Sequence, residues 1–242
     1  MHPSDWARLR RDFADNTYYP TDVTWRGMIV ENAGIRSRGF GSRNGIKPGL
    51  RVDIDRFEDG QEFLGITSFI LKPNVQDSSQ IHERLAMQFY PLLGLPAARE
   101  AHTRLFVNGE YAGLYAIVES PDKHFLDRVF GENEGYLYQY EWVVPYRFEY
   151  LGSDANRYVP SPFQPQTHEQ DPDPDVLVAL IRQMNEASDA DFATALAPYL
   201  DVKKFMTHLA VETFVAEGDG ANSTGASLSR PGLPARRQRR VR

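Results

Sequence analysis

The sequence predicts an α+β fold, and three observations lead to this prediction. Apolar residues recur every three to four positions between Ile81 and Leu92, which is the pattern of a helix packed on one side. Two strand-like segments, 103–107 and 111–118, follow and are joined by Asn108-Gly109, a pair that suits a tight hairpin turn. From Asp175 onward the apolar spacing is helical again. Strands therefore dominate the first part of the chain and helices its last part.

The remaining elements follow from local patterns of apolar, polar and turn-forming residues. Asp77, Ser78 and Ser79 are candidate N-caps for the first long helix, and Gly94 followed by Pro96 ends it. The other predicted elements are a helix over 4–15, strands over 24–37, 52–55 and 63–72, a short helix over 122–130, an aromatic strand-like segment over 136–148, and helices within 175–217, the last capped by Asp201. Five prolines between residues 159 and 174 disfavour regular structure, so we expect an internal boundary there.

Size and composition bound the class of protein. The 242 residues are 41% hydrophobic and 12% aromatic, enough for one large domain or two small ones. No apolar run approaches the roughly 20 residues that a membrane span needs, and the charged N-terminus shows no signal peptide. We therefore expect no membrane span and, for the sequence as written, a cytoplasmic protein. Cysteine is absent, which excludes disulfides and thiolate metal sites.

The charge is unevenly distributed. Six arginines lie within the last thirteen residues, and without them the chain carries 21 basic against 33 acidic residues, a net charge of −12. An acidic body argues against a nucleic-acid-binding surface on the main domain. Residues 221–242 are rich in Ser, Gly, Pro and Arg, and we expect them to be disordered. This tail either binds phosphate, RNA or anionic lipid, or is simply solvated, and the second interpretation is the simpler one.

Two segments carry candidate chemistry. The connector 38–49 contains four glycines and the cations Arg38, Arg43 and Lys47, which is the composition of a phosphate cradle but also of an ordinary hairpin loop. Lys72, at a predicted strand end, can reach a nucleotide phosphate or can be a solvated edge residue. The residues alone favour the ordinary interpretation in both cases. After the last predicted helix, Asp219 lies between two glycines, where a loop can present its carboxylate to a cleft.

Several motifs, taken in order, resemble the CotH-type spore coat protein kinases. They are Arg38-Gly39-Phe40-Gly41-Ser42-Arg43, Phe63-Leu64-Gly65-Ile66, Asp77 with Glu83-Arg84-Leu85-Ala86, Gly94-Leu95-Pro96-Ala97, the segment from Val107 to Tyr115, and Asp122-Lys123-His124-Phe125-Leu126. The resemblance runs from about Asp12 to Gly220. It implies an atypical protein-kinase-like fold that uses ATP with Mg²⁺ or Mn²⁺ to phosphorylate hydroxyl groups of proteins, including Ser-rich coat or surface proteins. Family members occur in the spore coat or are exported.

The resemblance also implies roles for particular residues. The loop residues Gly39, Gly41, Ser42 and Arg43 would lie beside the phosphates, and Glu83 stands where a kinase fold keeps the acid that orients its lysine. Lys47 and Lys72 are both candidates for that lysine. Asp219 resembles the active-site aspartate, which orients the attacking hydroxyl or helps to hold the metal.

One departure from the family pattern shapes the expected activity. Family members continue with a Tyr-rich strand and a Trp-Asp segment whose aspartate binds metal, whereas residues 221–242 contain no acidic residue. We therefore expect a partial kinase-like domain over 1–220, truncated or frameshifted at its end, with impaired activity. The alternatives are a non-catalytic spore coat or surface-assembly protein that uses the fold as a binding module, and a nucleotide-binding protein without an acceptor.

Overall fold

A computed structural model describes residues 1–39, 43–141 and 146–215. It divides into two compact units, Met1–Gly135 and Tyr136–Arg242. The first unit consists of α1 (Pro3–Arg11), β1 (Tyr19–Trp25), β2 (Met28–Ser37), β3 (Leu50–Asp53), β4 (Ser68–Lys72), α2 (His82–Leu92), β5 (Glu100–Val107), β6 (Glu110–Glu119) and α3 (Lys123–Phe130). Helices and an antiparallel sheet confirm the α+β class. No helix among the described residues is long and apolar enough to cross a membrane.

The first unit is built on a six-stranded sheet in the order β1-β2-β3-β4-β6-β5, with every neighbouring pair antiparallel. Alternate residues of a strand point to opposite faces, so each face can be read from the register. One face is apolar and packs around Leu9 of α1. Its buried members include Ile35, Leu50, Val52, Phe69, Leu71 and Tyr115.

The opposite face of the same sheet carries polar side chains. One row across the paired strands runs Arg36, Arg51, Ile70, Val118, Glu100, and the next row runs Lys72, Ala116, His102. Within these rows, Ile70, Ala116 and Val118 form a small buried apolar cluster with Ala98 beside it. Most of the remaining positions are charged, and helix α2 contacts the sheet at β5.

Helix α2 is packed differently from the sequence prediction. The apolar stripe was expected to face the core, but Ile81, Leu85 and Leu92 are 50%, 52% and 79% exposed, so that prediction is wrong. Ala86 is the helix residue that is buried, at 5% exposure. The sheet face next to α2 is polar, and the helix therefore turns polar residues toward it: Arg84 donates a hydrogen bond to the backbone oxygen of Glu100.

The first strands also differ from the prediction. A single strand over 24–37 was expected, whereas β1 and β2 form a hairpin whose turn, Arg26-Gly27, has φ values of 48° and 83°. Pro20 lies within β1. Because β1 is an edge strand, a proline lacking its N–H is tolerated there.

The predicted hairpin turn agrees with the structure, whereas the N-cap of α2 is Ile81 and not Asp77, Ser78 or Ser79. Asn108 and Gly109 connect β5 to β6 with φ values of 52° and 85°, as a two-residue hairpin turn requires. The Asp122 side chain accepts hydrogen bonds from the first turn of α3, and Gly131 ends that helix with φ 75°.

The described part of the second unit contains a two-stranded antiparallel sheet and three α-helices. Its elements are β7 (Tyr138–Tyr140), a 3₁₀ turn (Ala155–Arg157), β8 (Phe163–Pro165), α4 (Asp175–Glu186), α5 (Phe192–Leu196) and α6 (Val202–Phe214). Tyr158, Phe163 and Ile181 are buried at its core. The proline-rich segment 159–174 lies inside this unit, and β8 within it pairs with β7. Asp201 caps α6 as predicted, accepting from the backbone N–H of Lys204.

Candidate functional site

A lysine and a glutamate meet on the polar face of the sheet. Lys72 is the last residue of β4, and its Nζ forms an ion pair with Oε1 of Glu83, which lies in the first turn of α2. The two side chains are 34% and 22% exposed, so the pair is partly shielded from water while remaining reachable. The structure thus brings together two of the residues that the sequence singled out.

The start of α2 is held in place by Asp77. Its Oδ2 accepts a hydrogen bond of 2.8 Å from the backbone N–H of His82, and its Oδ1 accepts one of 2.9 Å from that of Ser79. The hydrogen bond from the Ser79 side chain, followed by the His82 amide, lowers the pKa of Asp77. Because Glu83 follows His82 directly, this cap also fixes where the Glu83 carboxylate emerges from the helix.

Lys47, the other candidate lysine, has a different environment. Its Nζ donates a 2.6 Å hydrogen bond to the backbone oxygen of Pro73 and lies 5.1 Å from the centre of the Tyr115 ring. Burial lowers the pKa of this amine. Lys47 therefore ties the connector between β2 and β3 to the end of β4, whereas Lys72 is the lysine that pairs with Glu83.

Arg43 anchors the same connector to the segment after α1. Its Nε donates to the backbone oxygen of Gly39 at 2.6 Å, Nη1 donates to that of Ala14 at 2.5 Å, and Nη2 donates to Oδ1 of Asn16 at 2.5 Å. Each guanidinium nitrogen thus already has an oxygen acceptor. Desolvation, followed by repulsion from Arg36, lowers the pKa of Arg43. The Arg43 guanidinium is therefore better placed to hold the connector against the segment after α1 than to bind a phosphate.

Asp53 and its neighbours form a polar network on the same sheet face. Asp53 accepts hydrogen bonds from Arg51 at 3.2 Å and from the Tyr18 hydroxyl. Ser68, the partner of Asp53 on β4, donates to Oδ2 of Asp122 at 3.3 Å. The strand predicted over 52–55 begins earlier, at Leu50, and ends at Asp53. The charge of Arg51 is therefore balanced within the sheet.

Three of the predicted site residues, Gly41, Ser42 and Asp219, lie outside the described residues. Gly39 precedes them with φ 123°, a conformation that favours glycine. Within 1–39, 43–141 and 146–215 no group of three or more His, Asp or Glu side chains could hold a metal ion. The roles assigned to ATP and a divalent metal therefore remain predictions.

Arg38 was one of three cations noted in the connector, and the resemblance gave it no role. It follows the last residue of β2, and its backbone N–H donates to the oxygen of Gly49 at 2.8 Å. Burial lowers the pKa of its guanidinium, and Arg51 and Arg36 lower it further, while Glu83 acts in the opposite direction. Sequence spacing alone could not separate Arg38 from Arg43 and Lys47.

The Lys72–Glu83 ion pair thus links the end of a strand to the first turn of the helix that follows it in the sequence. Comparison with known proteins defines the family. The model of the CotH kinase protein family matches residues 35–228, most of the chain, and the chain belongs to that family.

One curated relative is the inner spore coat protein H of Bacillus subtilis (strain 168). It is 23% identical to this chain over 226 residues. The aligned region covers 91% of this chain and 60% of that protein. The chain thus spans less than two thirds of the length of this relative.

Proposed function

We propose that this chain provides the nucleotide-binding part of an ATP-dependent protein kinase. The observation that carries the proposal is the ion pair between Lys72 at the end of β4 and Glu83 in the first turn of α2. In protein kinases a strand lysine contacts the phosphates of ATP, and a glutamate of the next helix holds it in position. The order of strand, helix and hairpin around the pair also supports a kinase-like fold.

The proposal assigns distinct tasks to the residues of the pair. Lys72 binds the nucleotide phosphates and offsets part of their negative charge. Glu83 holds the Lys72 side chain in one orientation, so that less conformational entropy of this side chain is lost when the nucleotide binds. Asp77 accepts a hydrogen bond from the backbone N–H of His82 and so holds the helix start that carries Glu83.

Phosphoryl transfer further requires a carboxylate to position the attacking hydroxyl, and the sequence offers Asp219 for this task. A divalent metal ion, when bound, neutralises charge on the phosphates. Residues 1–39, 43–141 and 146–215 contain no group of three or more His, Asp or Glu side chains that could hold such an ion, and the resemblance assigns this task to Asp219. No role in the proposed binding step depends on the metal.

The proposed acceptor is a hydroxyl-bearing protein, with Ser-rich coat or surface proteins as the first class to test. Support comes from the name of the curated relative, which is a spore coat protein, and from the family name. The acidic body of the chain, with a net charge of −12 outside its last thirteen residues, is consistent with a protein acceptor rather than a nucleic acid.

The test is a transfer assay with labelled ATP, Mg²⁺ or Mn²⁺ and a Ser-rich acceptor protein. Lys72→Met is expected to reduce kcat/KM by about 100-fold or more, the loss typical of removing a preorganised electrostatic group. Lys123→Met, a change of an exposed lysine at the start of α3, is the matched control. Equal turnover of the parent and Lys72→Met would refute the role of Lys72.

A parent protein that binds ATP but transfers no phosphate to any acceptor would instead favour the alternative of a non-catalytic binding module. Failure to bind ATP at all, measured by calorimetry, would remove the nucleotide proposal altogether. Glu83→Gln should weaken ATP binding less than Lys72→Met, because it removes the partner that orients the cation rather than the cation itself.

A further inference from the structure

The connector between β2 and β3 supplies three cations, and they differ in whether their side chains donate hydrogen bonds. Arg43 donates to backbone and Asn16 oxygens, and Lys47 donates to the oxygen of Pro73. For the Arg38 guanidinium, the structure shows no hydrogen bond or ion pair anywhere in 1–39, 43–141 and 146–215. Arg38 nevertheless has a half-buried side chain. A shielded guanidinium without an acceptor is costly, and an anionic ligand would remove that cost.

The strand register places Arg38 beside the Lys72–Glu83 pair. Arg38 is hydrogen-bonded to Gly49, and the next residue, Leu50, is paired with Leu71 of β4. Continuing this antiparallel register by one residue puts Gly49 between Arg38 and Lys72. Gly49 has no side chain to separate the two cations, and a Cβ there would lie 2.6 Å from the backbone oxygen of Arg38.

The charges around Arg38 also favour an anion. Arg36 and Arg51 are close enough to lower its pKa after the effect of burial, and Glu83 is the acid that opposes them. Glu83 itself is already paired with Lys72, and Asp53 is paired with Arg51. Glu83, the acid that acts on Arg38, is therefore already paired with another cation.

We propose that Arg38 and Lys72 together form a polyphosphate-binding site, with Arg38 rather than Arg43 or Lys47 as the connector residue that contacts the nucleotide phosphates. This inference rests on the proposed function and names a residue for its binding step. A guanidinium offers a fork of N–H donors that matches two phosphate oxygens at once, which an ammonium cannot do. Glu83 would then hold Lys72 while Arg38 approaches the same phosphates from β2.

The experiment measures affinity for two probes, inorganic tripolyphosphate and ATP, by titration calorimetry on the full chain. Removing a charge-assisted contact of this kind costs about 10- to 100-fold in affinity, so Arg38→Ala should weaken both probes by that factor. Arg38→Lys keeps the charge but loses the fork, and it should show an intermediate loss. Arg36→Ala removes one positive charge from the same strand, and a change below about 3-fold is expected because its guanidinium already donates to Asn16 and to the backbone of Ser37.

Far-UV circular dichroism and thermal melting establish that each variant is folded. If Arg38→Ala is not folded, the affinity of Arg38→Lys is used in its place. Equal tripolyphosphate affinity for the parent and a folded Arg38 variant would overturn the inference, as would a loss confined to Arg43→Ala. Tripolyphosphate binding that needs Arg38, in a protein that does not bind ATP, would support the anion site while contradicting the proposed kinase function. A parent that binds neither probe would overturn both.

Discussion

At the residue scale, the clearest energetic feature is a buried acid held by two arginines. The Glu119 side chain is 5% exposed and accepts hydrogen bonds from Arg128 Nε at 2.8 Å, from Arg99 Nη2 at 3.0 Å and from the Arg99 backbone N–H at 2.9 Å. Arg128 also donates to the backbone oxygen of Ala97. The cluster thus joins the end of β6, the loop before β5 and helix α3.

We expect Glu119→Gln to lower the free energy of unfolding by about 2 kcal/mol, since it removes a charged acceptor from two arginines. Burial alone would raise the pKa of Glu119, but the hydrogen bonds from Arg128 and from the Arg99 backbone outweigh it, and the net pKa is lowered from 4.5. The stabilising contribution is therefore complete above about pH 4.5 and is lost as pH falls through the lower folded-state value. Urea unfolding at a series of pH values measures this.

The matched control for that measurement is Glu110→Gln, which changes an exposed glutamate at the start of β6. A parent and Glu119→Gln with the same stability at pH 7 would show that the arginine cluster contributes nothing to folding.

Glu100 differs from Glu119 because its carboxylate has no hydrogen-bond partner among the described residues. Both of its carboxylate oxygens are buried without a hydrogen-bond partner. Burial raises its pKa above 4.5, and repulsion from Glu83 raises it further, while Lys72, His102 and Arg84 act in the other direction. A raised folded-state pKa means that stability falls as pH rises from about 4.5 through the folded value.

Glu100→Gln should therefore raise the free energy of unfolding at pH 7 by about 1 kcal/mol, because no buried charge has to be desolvated. The advantage should shrink toward zero below pH 4.5, where the parent carboxyl is protonated in both states. Denaturant midpoints at pH 4 and pH 7 check this, and a variant that is less stable than the parent at pH 7 would contradict it.

At the scale of elements, the start of α2 is the feature on which the proposed site depends. Asp77→Ala removes the acceptor of the Ser79 and His82 amides, so we expect the first turn of the helix to open more often. The melting temperature should fall, and amide hydrogen exchange over residues 82–86 should become faster than in the parent.

Asp77→Asn, which keeps an acceptor oxygen, should retain most of the protection, and Ser78→Ala serves as the neutral neighbour. If ATP binding is found in the parent, it should weaken in Asp77→Ala through the displaced Glu83. Unchanged exchange over 82–86 in Asp77→Ala would show that this carboxylate does not hold the helix start.

At the scale of the whole molecule, the proposed tasks fall on two parts of the sequence. Arg38, Lys72 and Glu83 belong to the unit Met1–Gly135, and Asp219 comes after the end of α6 in the sequence. The proposed function therefore separates binding from transfer. In the transfer assay, Asp219→Asn should keep ATP affinity close to that of the parent and lose turnover, whereas Lys72→Met should lose both.

Much of the fold was determined by the sequence alone, because it depends on neighbours along the chain. The Asn108-Gly109 turn, the short helix predicted over 122–130 and the Asp201 cap all follow from the local conformations that these residues favour. The α+β class was recognisable from local apolar spacing, and the family was recognisable from short motifs in a fixed order.

The tertiary structure decided what depends on residues distant in sequence. Arg43 donates to the backbone oxygen of Ala14 across 29 positions, and Lys47 donates to that of Pro73 across 26. No local sequence pattern reveals these contacts. The inward face of α2 was misjudged because apolar spacing predicts burial only against an apolar partner. The strand that α2 contacts, β5, carries Glu100 and His102 on this sheet face. Only the strand register showed that Arg38 and Lys72 lie in one row across the sheet, on either side of Gly49. Pairing between strands is set by the whole sheet rather than by any one segment.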